Sequence, residues 1–401
     1  MAKRVFRLPR RDELTKEQRK VLRLPKNGQH LVVGSPGTGK SVVALLRMQE
    51  LGNAENVHFL TFNHVLNHAN KNLLDNEFSE KMNTAMSWLY DLHWNIVGGS
   101  RATYHQDKMP EIKPHKPDYK KVSERFAYYN ADFTGHSLIV DEGQDLPPEW
   151  YECIESLHIK DFFVVADQNQ QITEEYSSKK KLMEVLGLEN DEVIELKENW
   201  RNTSPIAAFS NYFYTDKTSP KPQLPNRPSV NTPILFEYKT IDRVKEQILS
   251  EYDRDPSKLI GFFVANEGKR EWWAKDLQKD DQSRKYSPPV VSTYFSSQKG
   301  DVNIEFNNGG IVVLNDKSVK GIEFDIVFIL IDGFKPISND KESLMKRLYV
   351  MSSRARERLY LLKSSIQNSI LEEILPPENE TITIEHNGKS TQIELLKRRQ
   401  L

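Results

Sequence analysis

The chain has a single cysteine, Cys153, among 401 residues. That excludes an internal disulfide framework and any zinc site built from several cysteines. Long apolar runs are also missing. The longest, such as 326–331, are strand length and too short to span a bilayer, and Met1-Ala2-Lys3-Arg4 leads into no apolar signal segment. A cytoplasmic protein with no membrane partner is expected. Neither charge sign is in excess, since 56 Lys and Arg face 57 Asp and Glu. Bulk charge therefore cannot identify a nucleic-acid binder, and any basic surface must be a local channel balanced by acid elsewhere. Tight histidine spacing is absent too: His93, His105, His115 and His136 lack the spacing of zinc ligands and read as scattered surface residues. No internal repeat or low-complexity tract is visible. The length suits two or three domains, and 38% hydrophobic residues suffice for ordinary cores.

The stretch that organises the chain is Gly34-Ser35-Pro36-Gly37-Thr38-Gly39-Lys40-Ser41, after the apolar run Leu31-Val32-Val33 and before a helical pattern from Val42 to Leu51. It fits Gly-x4-Gly-Lys-Ser, with a strand before and a helix after. In such a loop the glycines let backbone N–H groups curl around phosphate oxygens, the lysine meets the outer phosphates and the serine hydroxyl ligates Mg²⁺. Gly34, Gly37, Thr38, Gly39, Lys40 and Ser41 are thus expected to bind a nucleoside triphosphate with Mg²⁺.

Around this loop the pattern is α/β. Lys3, Arg4, Arg7, Arg10 and Arg11 read as a solvated arm. Thr15 with Gln18 three residues on completes a capping box, which opens a helix. Strands are expected at 57–62, 137–140 and 162–166, the second running into Asp141-Glu142-Gly143-Gln144-Asp145 and the third into Asp167-Gln168-Asn169-Gln170. Ligand chemistry belongs at such strand ends: one carboxylate can hold Mg²⁺, and a second can orient or deprotonate the attacking water. Residues 92–135 read as a small insertion. The proline-rich stretch from Thr215 to Pro233 reads as an irregular linker crossing between lobes. A second α/β unit follows, with strands at 234–238, 259–265, 311–314 and 326–331 and helices at about 240–252, 268–279 and 340–357. A hairpin around Asn387-Gly388 and the basic Lys397-Arg398-Arg399 come last. The expected domains are 1–195, 196–365 and 366–401.

In order, these motifs resemble the UvrD/Rep family of superfamily 1A helicases over about residues 12–362. The resemblance implies two RecA-like lobes, parallel sheets flanked by helices, with the phosphate loop in the first and the ATP site in the cleft. Leu14 to Gln18 looks like the Q motif, which makes Gln18 an adenine contact as well as a cap. Phe62-Asn63 and Thr84-Ala85-Met86-Ser87-Trp88 stand where the family contacts single-stranded nucleic acid. Asp141-Glu142-Gly143-Gln144-Asp145 is one residue from Asp-Glu-Ala-Gln-Asp, so Asp141 joins Ser41 on the metal and Glu142 activates water. By the same resemblance Gln170 senses the γ-phosphate. Leu196-Lys197-Glu198-Asn199-Trp200-Arg201 resembles Leu-x-x-Asn-Tyr-Arg, with Trp200 stacking on adenine and Arg201 as a first arginine finger. Ser318 to Asp325 looks like the Lys-Gly-Leu-Glu-Phe motif, with Gly321 and Glu323 at the nucleotide and the glutamate on the ribose. Arg347 to Ala355 resembles Leu-Tyr-Val-Ala-x-Thr-Arg-Ala, making Arg354 a second finger.

The departures fall in strand-contact motifs. Thr173 stands at the position of the family's base-stacking tyrosine, Asn315-Asp316-Lys317 replaces Thr-x-His, and Met86 replaces a histidine. The segment between Arg201 and Ile311 is too short for the family's large second-lobe insertion. The resemblance implies an ATP-dependent translocase or helicase on single-stranded nucleic acid, DNA favoured over RNA, moving 3′ to 5′. The competing reading is an ATP-driven switch or regulatory subunit that remodels a nuclease or other protein partner without unwinding. A metabolite kinase is a third, for which two arginine-finger motifs are surplus.

Overall fold

Buried parallel strands need apolar side chains on both faces, and the sheets of this protein are built that way. The computed structural model describes residues 8–51, 56–71, 73–74, 76–98, 108–167, 177–215, 222–279, 288–294, 304, 308–336, 340–386 and 389–401. The chain divides into two compact units. The first comprises Leu8–Ser35 and Gly39–Leu196, and the second Lys197–Leu401, with which the loop tip Pro36–Thr38 is grouped.

In the first unit the elements are α1 (Lys16–Leu22), β1 (Gln29–Gly34), α2 (Lys40–Leu51), β2 (Val57–Thr61), α3 (His64–Lys71), α4 (Asn76–Ser79), β3 (Met82–Thr84) and α5 (Ala85–His93). They continue with β4 (Glu111–Lys113), β5 (Lys116–Pro117), α6 (Tyr119–Tyr128), β6 (Ser137–Val140), α7 (Pro148–Glu155), β7 (Asp161–Ala166), α8 (Lys179–Leu186) and β8 (Ile194–Leu196). The main sheet is parallel, in the order β3-β2-β6-β7-β1-β8. Alternation along each strand feeds two cores. Leu31, Val33, Leu138, Val140 and Val164 pack on one face with Trp150 and Phe126, whereas Val32, Ile139, Phe163 and Val165 pack on the other with Val43, Leu45 and Met48. The expected insertion carries the small antiparallel hairpin β4–β5 and α6, which packs on α7.

Of the histidines read as surface residues, one is buried and another is half-buried. His93 is buried, and His136 stacks on His58 with ring centroids 5.3 Å apart and Nε2 to Nδ1 at 3.0 Å. Burial, then the neighbouring His136 and Lys81, depress the His58 pKa to about 4. The folded state therefore holds His58 neutral, while the unfolded chain takes a proton below the ordinary imidazole value. The resulting stability is complete above pH 6.5 and is lost as pH falls towards 4. From this group alone the unfolding free energy should drop by about 2 kcal/mol between pH 7.5 and pH 5. Denaturant titrations at the two pH values, with His58→Asn flattening the difference, check this.

In the second unit the elements are α9 (Ser204–Tyr212), β9 (Ile234–Tyr238), α10 (Ile241–Arg254), β10 (Leu259–Val264), α11 (Glu267–Gln278), β11 (Val291–Thr293) and β12 (Gly310–Asn315). Then come β13 (Phe324–Leu330), α12 (Lys341–Ser352), β14 (Ala355–Ser364), the hairpin β15 (Thr381–His386) and β16 (Lys389–Glu394), and β17 (Lys397–Gln400). A parallel sheet runs β11-β12-β10-β13-β14-β9-β17. Each unit is thus a parallel sheet flanked by helices, the layering of a RecA-like lobe.

Two expectations are corrected here. The helix expected over 340–357 stops at Ser352, and Ala355 starts β14, because Leu359 and Leu361 are needed between β13 and β9. The described residues of the proline-rich stretch do not cross between lobes. They belong to the second unit, where Ser204 Oγ donates to Pro225 O (2.8 Å) and Asn211 Nδ2 to Pro222 O (2.9 Å).

Candidate nucleotide site and its surroundings

In an open parallel sheet the C-terminal strand ends form the ligand edge. In the first unit β1 ends at the phosphate loop, β6 at Asp141-Glu142, β7 at Asp167, β2 at Phe62-Asn63 and β3 at Thr84. Gly34 closes β1 and Lys40 opens α2, so the loop backbone faces a helix N-terminus, where the dipole favours an anion. Gly37 and Gly39 have φ of +80° and +85°. A Cβ on Gly37 would lie 2.8 Å from the Arg201 Cβ and would overlap the Asn199 amide, and one on Gly39 would overlap Gln18 Nε2. Only glycine meets both demands. Thr38 is buried beside them.

The Lys40 ammonium is held by oxygens: it donates to Gly34 O (2.8 Å) and Ser35 O (3.0 Å) and pairs with Asp167 Oδ2 (3.2 Å). Ser41 Oγ donates to Asp141 Oδ1 at 3.1 Å, and Asn70 Nδ2 donates to Asp141 Oδ2 at 3.4 Å. Burial first, and the Glu142 carboxylate second, push the Asp141 pKa up to about 7, against the pull of Ser41, Lys40 and Asn70. A buried carboxylate beside a serine hydroxyl is a hard-oxygen pair of the kind Mg²⁺ uses together with nucleotide phosphates. Those two residues, with the glycine cradle, fit an Mg²⁺–nucleotide.

Glu142 is a non-glycine residue in the left-handed region, φ +57°. Such strain costs of order 1–3 kcal/mol and persists where surrounding contacts over-determine it. Here Glu142 N–H donates to Asp141 Oδ1 (3.0 Å), Gln144 Nε2 donates to Glu142 Oε2 (2.7 Å), and Tyr151 OH donates to Gly143 O (2.8 Å). Gln144 also accepts from the Asp167 backbone N–H at 2.8 Å, so one buried amide ties the ends of β6 and β7 together. Sequence reasoning assigned no role to Gln144, Asn70 or Asp167. Their partners lie 2 to 127 positions away, and nothing local marks them. Gln144→Leu should slow ATP turnover by roughly tenfold, because Glu142 loses its anchor, and lower stability by about 1–3 kcal/mol. Turnover assays and thermal melts on one preparation read both effects.

Gln18 forms the capping box with Thr15, both bonds at 3.0 Å, and its amide also lies against Gly39. In the second unit the Trp200 N–H donates to Gly37 O (2.8 Å) and the indole is exposed. Arg201 pairs with Glu323 at 2.7 Å and reaches Ser353 O at 3.4 Å, while Asn202 Nδ2 donates to Ser353 O at 3.1 Å. Two residues from separate motifs, Arg201 and Glu323, thus meet. Gly321 lies just before Glu323. Arg354 is buried, with Nε donating to Val350 O (3.0 Å).

The strand-contact candidates divide. Phe62 is half-buried and lines a groove of about 1060 Å³ in the first unit with Met86, Tyr119, Leu146, Pro147 and Cys153. Asn63 Oδ1 accepts from Leu66 N (2.7 Å) at the start of α3. Thr84 is the buried N-cap of α5, accepting from Ser87 N at 3.2 Å. Trp88 is in the core, its ring 5.4 Å from His58, where a base has no access. The nucleic-acid contact expected of Trp88 is corrected accordingly: its position in α5 points into the apolar layer. Gln170 and Thr173 lie outside the described residues. In the second unit Asn315 caps a turn, accepting from Ser318 N at 3.1 Å, and Asp316 is paired with Arg347 at 2.5 Å, both buried. Among the described residues no cluster of three or more His, Cys, Asp or Glu forms a metal site, and no helix is long and apolar enough to cross a membrane.

Residues 18–175 match the family described as an AAA domain. That match spans less than half of the chain; it supports nucleotide and Mg²⁺ use in the first unit and does not single out the UvrD/Rep family. Among solved structures the chain is similar to the C-terminal domain of a possible DNA helicase from a Lactobacillus, strain WCFS1, at 18% identity and a TM-score of 0.32, covering 50% of this chain and 98% of that one. No curated protein matches the chain.

Proposed function

We propose that the protein is an ATP-driven translocase on single-stranded nucleic acid, DNA favoured, moving 3′ to 5′, and that it acts in the cytoplasm. The observation that carries this reading is the convergence, at one sheet edge, of the Lys40 loop, the Ser41–Asp141 pair and strained Glu142 with Phe62 at the end of β2. Lys40 would leave its loop carbonyls for the outer phosphates. Ser41 and Asp141 would hold Mg²⁺, which when bound neutralises phosphate charge. Glu142, fixed by Gln144, would orient the attacking water and take its proton. Gln18 and Trp200 would read and stack on the adenine, and Glu323 the ribose. Arg201 and Arg354 are the proposed source of positive charge for the transition state, with Gln170 sensing the γ-phosphate. A strand lying over the Phe62 groove would be gripped through its phosphates and by stacking.

The second reading, a switch that remodels a protein partner such as a nuclease, is favoured by a specific observation. Thr84, Trp88, Asn315 and Asp316 are all engaged in internal packing, capping or ion pairing. Steady-state ATPase with and without single-stranded DNA or RNA decides between them. Strand stimulation, greater with DNA, is expected, and its loss in Phe62→Ala with basal ATPase intact would tie it to the groove. Indifference to every oligonucleotide, with activation by a protein partner, would replace the motor with the switch.

A further inference from the structure

Away from the phosphate loop, the second unit has a cavity of about 200 Å³ where β14, β9 and β17 run side by side. Arg358, Lys397 and Arg399 supply its charge, and Asn231, Thr232 and Tyr360 supply polar atoms. Among the described residues no acid lines it, in a chain whose charges otherwise balance. It shares no residue with the Arg201–Glu323–Ser353 cluster.

The register explains how three cations converge. Tyr360 pairs with Ile234 and Ile234 with Lys397, while Phe236 pairs with Arg399. Alternate residues of paired strands share a face, so Arg358, Tyr360, Lys397 and Arg399 lie on one side of the sheet. Arg398 and Gln400 take the other side, where they bond to Pro376 O and Glu237. Arg358 is held in place by Glu251, a buried carboxylate that also accepts from Tyr360 OH (2.9 Å) and Arg254 (2.8 Å). One carboxylate shared by two guanidiniums leaves the cluster positive. Among the described residues neither Lys397 nor Arg399 has an acid within ion-pair distance.

We propose that this cavity is a binding site for one phosphate group. Like charges gathered on one face repel, and a tetrahedral dianion relieves that repulsion through charge-assisted hydrogen bonds. The cavity is smaller than the roughly 300–1,000 Å³ of sites for drug-sized ligands, which favours a single small group. The phosphate can come from a free phosphate-bearing molecule or from the backbone of a nucleic-acid strand.

The test is calorimetric titration with inorganic phosphate on full-length protein whose phosphate loop is saturated with ADP and Mg²⁺. A Lys397→Ser/Arg399→Ser double variant should bind phosphate roughly tenfold more weakly or worse. Its fold should survive, because β17 pairs through its backbone. Thr232→Glu, which places an acid in the cavity and leaves β17 intact, should do the same. Salt-dependent binding of a labelled single strand then separates the sources. If the strand supplies the phosphate, the slope of log affinity against log salt should shrink by about 0.7 in the double variant. An unchanged slope with lost phosphate affinity assigns the site to a free phosphate-bearing ligand. Equal phosphate affinity in wild type and both variants overturns the proposal.

Discussion

Glu142→Gln is expected to lower ATP turnover by a factor of about 10²–10⁴, with affinity for Mg²⁺–ATP kept within a few-fold, because a positioned base contributes on that scale to the chemical step. The amide is isosteric and can keep its contact with Gln144, so the strained turn at Glu142 should survive while the proposed base is lost. Lys40→Ala should abolish turnover by a different route. Its ammonium, now on Gly34 O, Ser35 O and Asp167, is the group proposed to meet the outer phosphates, so nucleotide affinity should fall along with the rate. It also deprives a buried Asp167 carboxylate of this cation, and breaking such a pair costs about 3–5 kcal/mol, which a thermal melt will register separately. Nucleotide titration by fluorescence distinguishes the two variants. Equal loss of affinity in both would refute the assigned roles.

Arg201→Ala is expected to reduce turnover by roughly a hundredfold or more, again with nucleotide affinity nearly kept, since a guanidinium aimed at developing phosphate charge acts on the transition state. Beside this residue the Gly37 position leaves no room for a side chain, since a Cβ there would stand 2.8 Å from the Arg201 Cβ, and the Trp200 N–H donates to Gly37 O. Its guanidinium is paired with Glu323, and Arg201→Lys should not restore the rate, because an ammonium lacks the planar fork. Arg354→Ala should also slow turnover. Arg354 is buried with a bond to Val350 O, so that variant mixes catalysis with stability, and Arg201 gives the cleaner reading. Single-turnover rates within a few-fold of wild type for both variants would remove the arginines from the mechanism.

The fold was legible where one local rule decides the outcome. Leu31-Val32-Val33 running into a glycine loop, and Leu138-Ile139-Val140 running into acids, mark parallel strands buried on both faces with a polar ligand edge. β14 was not legible because Arg354 to Leu362 follows a helical pattern without a break. Only its place between β13 and β9 makes it a strand. β17 has no apolar alternation at all, and Lys397 to Gln400 is a strand because β9 offers it a backbone edge. At the site, residue types at fixed spacing pointed to Lys40, Ser41, Asp141 and Glu142. Gln144 was silent because its role is a bond to a backbone N–H 23 residues on. Trp88 in α5 and Thr84 at the end of β3 misled for a related reason: an aromatic and a hydroxyl close to a strand end look alike whether they face a ligand, fill a core or cap a helix, and burial decides. The Asp316–Arg347 pair joins residues 31 apart and was invisible for the same reason.

The most direct test of the central claim is displacement of streptavidin from biotinylated single-stranded DNA. A motor moving 3′ to 5′ should strip streptavidin from the 5′ end in an ATP-dependent reaction, leave the 3′ end occupied, and do neither when Glu142 is replaced by Gln. Failure to clear either end, with ATP hydrolysis proceeding at the same rate whether or not DNA is present, would contradict the account.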